Sequence, residues 1–211
     1  MFNLWISTVS IRIIKDIFAK QRHLSSKIIH DRFDFIELTK STSIDRAFWL
    51  ENFRLALSQE YLELLDEFEN EDGYDMDKVL SEFADCLGYL ANITMMAQLK
   101  EENVAVEFLR GLDENEHPIP EHDDLFRHAI VKLIFKILIR LQHCRRWKWF
   151  GLQDKPVNES CLNNIRLLWY SFGCLANRNN INILIINDAF NRKHDENLLR
   201  LEQGYYKQRI S

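Results

Sequence analysis

The sequence predicts an all-α protein, a single-domain helical bundle, and three observations carry that expectation. The 211 residues include only 6 Gly and 3 Pro, about a third of average usage. A β-sandwich or barrel needs a turn roughly every 8–12 residues, usually built from those two types. Apolar residues recur with a helical period almost throughout, and strand alternation is nearly absent. No Gly-rich phosphate loop occurs, which removes the Rossmann and P-loop classes.

The first helix is expected over residues 8–30, with Ile11, Ile14, Ile17, Phe18, Gln21 and Leu24 along one side. The polar stretch ELTKSTSID reads as a break, and Thr42 with Asp45 fits a capping signal for a second helix over 45–70. That helix should end at the polar turn around Gly73. A third is expected over 75–100 and a short one over 104–111. The acidic segment LDENEHPIPEHDD, carrying Pro118 and Pro120, is the one clear linker, near residues 112–122. Helices over 123–145, 158–176 and 183–203 complete the chain. Within the first of these, Lys132, Lys136 and Arg140 share one stripe, which marks an amphipathic core helix and not a membrane span. Asn182 suits an N-cap and Gly204 a C′ glycine. Too few helices lie on either side of the linker to form separate cores, so residues 1–211 read as one domain.

Composition bounds the function. Apolar residues are 46%, charged residues 28% and the net charge is −5, so no basic surplus favours a nucleic-acid or membrane partner. The basic-aromatic run RRWKWF, residues 145–150, reads better as a helix end covering the core than as a stacking platform for single strands. Cys86, Cys144, Cys161 and Cys174 form no CxxC pair and lack a zinc-spaced His, so they read as buried thiols of a reducing compartment. The N-terminal stretch has neither a basic start nor a small-residue cleavage site. The expected location is therefore cytoplasmic.

Chemistry concentrates on the two helices flanking Gly73. Glu60 and Glu63 are three residues apart, so their carboxylates share a helical face. Glu82 and Asp85 repeat the spacing on the next helix. Adjacent antiparallel helices can set the two pairs opposite one another, where the carboxylates repel unless a hard cation lies between them. An all-oxygen set points to magnesium (Mg2+) or manganese (Mn2+), not zinc. The same acids would also suit the solvated faces of two amphipathic helices. Their neighbours Leu62, Leu64, Leu65, Phe83, Ala84 and Leu87 favour an inward position.

These motifs resemble the all-α nucleoside triphosphate pyrophosphohydrolases, the group of the dimeric dUTPases, phage dCTPase and MazG-like enzymes. That group carries E-x-x-E on one helix and E-x-x-D on the next, here Glu60–Glu63 and Glu82–Asp85. The dimeric dUTPase branch also carries a last-helix pattern close to K-N-x-x-N-x-x-R-Q-x-x-G-Y. Residues 193–205 read KHDENLLRLEQGY, so Lys193, Asn197, Arg200, Gly204 and Tyr205 fall on it. Gln21-Arg22-His23-Leu24 resembles the Q-x-x-L with which that branch contacts the pyrimidine. His194 and Leu201 depart from the pattern, Gly88 stands where His is frequent, and EFENEDGY replaces a Trp/Lys-rich segment.

The resemblance implies the all-α NTP pyrophosphatase type of bundle and a homodimer. It implies magnesium-dependent hydrolysis of dUTP, with dUDP a further candidate substrate, to dUMP and pyrophosphate, which limits uracil in DNA. Hydrolysis of dCTP or of several dNTPs is the other enzymatic reading. A non-catalytic helical interaction protein is the reading outside enzymes. In the enzymatic readings Glu60, Glu63, Glu82 and Asp85 hold the metal and Glu60 or Glu63 takes the proton from water. Gln21, Lys193, Asn197, Arg200 and Tyr205 bind the substrate. The Lys193–Arg200 stripe also fits a solvated basic face paired with Asp195, Glu196 and Glu202, and Gln21 an ordinary surface amide.

Overall fold

The computed structural model describes residues 8–29, 34–40, 44–69, 75–113, 124–142, 147–148, 151–152 and 159–204. Among the described residues the fold is helical: α1 (Thr8–Ile29), α2 (Phe35–Lys40), α3 (Ile44–Glu69), α4 (Met76–Met96), α5 (Glu101–Leu112), α6 (Asp124–Gln142), α7 (Glu159–Arg178) and α8 (Ile183–Glu202). A two-residue antiparallel pair, β1 (Trp147–Lys148) with β2 (Gly151–Leu152), follows α6. Among the described residues no helix is long and apolar enough to cross a membrane.

One core draws on all eight helices, so the two sides of the Pro-containing segment belong to a single domain. Residues 114–123 of that segment lie outside the described residues. The central element is α4, which packs against α1, α3, α7 and α8. Its start is fixed by Asp75, whose side chain accepts from the amides of Asp77 and Lys78. From Phe83 to Met96 nearly every residue is buried, as its apolar composition requires. Asn182 caps α8 in the same way, accepting from Leu184 and Ile185, and Gly204 takes φ +76° just past the end of α8. Lys132, Lys136 and Arg140 lie on the exposed side of α6 while Ile130, Ile134, Ile137, Leu138 and Leu141 are buried.

Two expectations are corrected. The stretch read as a polar break begins inside a helix, because α2 buries Phe35 and Leu38 against the core. Two apolar anchors in six residues outweigh the polar residues between and after them. The run read as a helix end instead places Trp147 and Lys148 in the short strand pair, while α6 is described as far as Gln142. The Thr42 cap, the Gly73 turn, Cys144 and the rest of the basic-aromatic run fall outside the described residues. The other three cysteines are buried.

Helices α5 and α7 cross closely at two glycines. A Cβ on Gly173 would sit 2.2 Å from the Phe108 carbonyl oxygen, and one on Gly111 2.2 Å from that of Tyr170. Backbone atoms cannot swing aside, so the helices must separate. Gly173→Ala is expected to cost about 2–3 kcal/mol of stability, read from the urea midpoint.

Candidate active site

Helix α3 supplies Glu60 and Glu63, and α4 supplies Glu82 and Asp85. One carboxylate oxygen from each of Glu60, Glu63 and Glu82 lies within 4.8 Å of the others. Burial, reinforced by the negative charges of Asp85, Glu63 and Glu82, pushes Glu60 up to about 7. Burial likewise raises Glu82, against the opposing pull of Lys193. Three converging carboxylates form an all-oxygen donor set that fits a hard divalent cation.

Asp85 stands apart from that triad. Its Oδ2 accepts from Lys193 Nζ at 2.6 Å, and the same ammonium donates to Ser81 Oγ at 3.0 Å. Both side chains are largely buried, 12% and 18% exposed for Lys193 and Asp85. Burial raises Asp85 despite the ammonium. For Lys193 burial acts downward, but the Asp85 hydrogen bond and the nearby carboxylates outweigh it and leave the group raised. The four expected metal ligands are therefore three gathered carboxylates and a fourth already neutralised by α8.

Beside this cluster opens a pocket of about 410 Å³. Gln21 from α1, Glu60 from α3, Asp85 from α4, and Lys193, Asn197 and Arg200 from α8 all line it. Glu63 and Glu82 are not among its lining residues; Glu60 joins the pocket to the carboxylate triad. Tyr205 lies outside the described residues. Arg200 pairs with Glu196 on its own helix, which is the solvated-face arrangement, whereas Lys193 reaches across to α4. Part of the remaining wall is aromatic. Trp49, Phe53 and Tyr89 line it, with ring centroids 5.6 Å apart between the first two and 6.4 Å between the last two.

The pocket also contains residues that sequence reasoning missed, notably Ser25 and Asn92. Ser25 is one turn after Gln21, and Asn92 continues the helical stripe of Asp85 and Gly88. Asn92, a polar residue in the apolar stretch of α4, was the available signal. Gly88 has a steric reason: a Cβ there would lie 2.8 Å from Gln21 Oε1. His194, also in the wall, is buried and its Nδ1 has no partner among the described residues. Burial lowers its pKa, helped by His23 and Lys20, so it is held as the neutral imidazole.

The all-α bundle thus sets three gathered carboxylates, and a fourth paired with Lys193, at a pocket that Lys193 and Arg200 also line. The family profile for dUTPase matches residues 13–205, and the chain belongs to this all-α dUTPase family. Membership supports a dUTP or dNTP pyrophosphatase function. No curated protein and no solved structure matches the chain.

Proposed function

We propose that the protein is a magnesium-dependent dUTP diphosphatase, releasing dUMP and pyrophosphate. The observation that carries this reading is the convergence in one pocket of α3 and α4 carboxylates, the α8 donors and the α1 amide. Glu60, Glu63, Glu82 and Asp85 would hold magnesium, or manganese, whose charge neutralises the triphosphate and lowers the pKa of an attacking water. Glu60 or Glu63 would accept the proton of that water. The water oxygen bonds to the α-phosphorus, the bridge to the β-phosphate breaks, and pyrophosphate leaves. Lys193 and Arg200, two helical turns apart with Asn197 between, offer donors along the phosphate oxygens. Gln21 meets the pyrimidine edge, and the Trp49–Phe53–Tyr89 wall packs on the base and sugar.

Linkage gives the test. Ligands that bind only the folded state stabilise it by RT ln(1 + [L]/Kd). Magnesium with a non-hydrolysable dUTP analogue is therefore expected to raise the Tm well beyond either alone. No response to dUTP or dCTP analogues would favour the interaction-protein reading instead.

A homodimer is part of the same proposal. Phe48, Leu55 and Leu62 share one stripe of α3, each about half exposed, and a second copy of the chain is the occupant we assign to it. Light scattering is expected to give about twice the 25.3 kDa chain mass; the monomer mass would contradict this.

Gly88→Ala separates binding from folding. Alanine favours the helix over glycine by up to about 1 kcal/mol, and the atom it meets is the movable end of Gln21. The variant is expected to match wild-type Tm while dUMP affinity falls several-fold, measured by calorimetry.

A further inference from the structure

Gln21, Ser25 and Asn92 form a hydrogen-bonded chain in the wall of the pocket. Gln21 Nε2 donates to Ser25 Oγ at 3.2 Å, and Ser25 Oγ donates to Asn92 Oδ1 at 2.8 Å. All three are buried, 9%, 3% and 1% exposed, and all three line the pocket. Resting on the nucleotide reading above, we infer that this chain sets the base selectivity: it accepts the 2,4-dioxopyrimidine edge of uracil and rejects the amino edge of cytosine.

The reasoning starts from a proton count. A serine hydroxyl has one proton. Given to Asn92, it cannot also be given to Gln21, so the Ser25 oxygen must accept there. The Gln21 amide is thereby oriented with Nε2 on Ser25 and its Oε1 left as an acceptor, lying against Gly88. Asn92, with its oxygen used, is left with its NH2 as a donor. An acceptor and a donor are thus fixed relative to one another by a single hydroxyl.

Uracil presents an N3–H donor beside the O4 acceptor. Cytosine presents a lone pair at N3 and an amino group at C4, the reverse at both positions. The carboxylate cluster and α8 would anchor the phosphate end, so the base cannot slide by one position to correct the mismatch. Cytosine would then oppose lone pair to lone pair and N–H to N–H. Reading it requires both amides and the hydroxyl to reverse together. Ser25 is accordingly a positioning residue, since it couples the two amides and forbids either from turning alone. The 5-methyl group of thymine lies off this edge, so the chain does not separate uracil from thymine.

The test is calorimetric binding of dUMP and dCMP to the full-length wild type, Ser25→Ala and Ser25→Thr, with dUTP and dCTP turnover in parallel. Wild type is expected to bind dUMP at least about tenfold more tightly than dCMP, the scale of leaving buried polar groups mispaired. Ser25→Ala should bring that ratio to within about threefold, because each amide can then turn by itself. Ser25→Thr keeps the hydroxyl and should restore the ratio. Any general loss of affinity cancels from a ratio taken within one protein. Equal affinities in the wild type, no binding of either nucleotide, or a wild-type ratio in Ser25→Ala overturns the inference; the first two outcomes do so even if neither variant folds. Selective dUMP binding that moves with Ser25, without turnover of any dNTP, would remove the catalytic reading and leave this one standing. Turnover of dUTP with an unmoved Ser25→Ala ratio would do the reverse.

Discussion

Glu60→Gln is expected to lower dUTP turnover by at least about 10²-fold, the scale of losing a positioned base or electrostatic group, while leaving the apo protein as stable as its parent or more so. The two effects come from one cause. Glu60 is held with Glu63 and Glu82 in a cluster whose oxygens approach within 4.8 Å, and ionising it there is unfavourable. Its pKa stands at about 7 against an ordinary 4.5, with burial the largest cause. Between those values the folded chain binds more protons than the unfolded chain. Metal-free stability therefore falls as pH rises through that window and is fully supported only below it. The amide carries no charge at either end, so this slope should be weaker in the variant. Thermal melts of both proteins without metal at pH 5 and pH 8, with turnover measured alongside, check the pair of effects. Normal turnover, or an unchanged pH slope, would contradict the role given to Glu60.

The second large effect belongs to α8. Lys193→Met is expected to lower kcat/KM by a similar factor, at least about tenfold, for dUTP, dCTP and dTTP, because an ammonium on phosphate oxygens does not sense the base. It should also destabilise the apo protein by about 1–3 kcal/mol. That cost arises because Asp85, only 18% exposed, loses the ammonium at 2.6 Å; protonation of Asp85 limits it. Arg200→Ala should share the uniform kinetic loss with little change in stability, since its ion pair with Glu196 is substantially exposed. Gln21→Ala, in contrast, should change the ratio of dUTP to dCTP turnover. Kinetics on the three variants with three nucleotides distinguish a phosphate-reading helix from a surface basic stripe, which would tolerate Arg200→Ala at wild-type rates.

The sequence was informative wherever a pattern is local. Helical periodicity placed the long helices within a few residues of their ends, and Asn182 and Gly204 marked the two ends of α8 because caps depend on immediate neighbours. The acidic spacing singled out Glu60, Glu63 and Glu82, whose carboxylates the fold gathers, but it could not pair Asp85 with Lys193, a contact between α4 and α8. Helix α2 was missed because Phe35 and Leu38 gain their burial from packing on α1, α3 and α4. The Ser25–Asn92 bond joins α1 to α4, and its two residues are unremarkable by type. The aromatic wall escaped notice for the same reason, since Trp49 and Phe53 come from α3 and Tyr89 from α4.

Product analysis with magnesium and dUTP in ¹⁸O-labelled water tests the central assignment most directly. Attack at the α-phosphorus predicts equal amounts of dUMP and pyrophosphate, formed only with the divalent cation, and the label in dUMP. No hydrolysis of any dNTP, or orthophosphate as the first product, would contradict it.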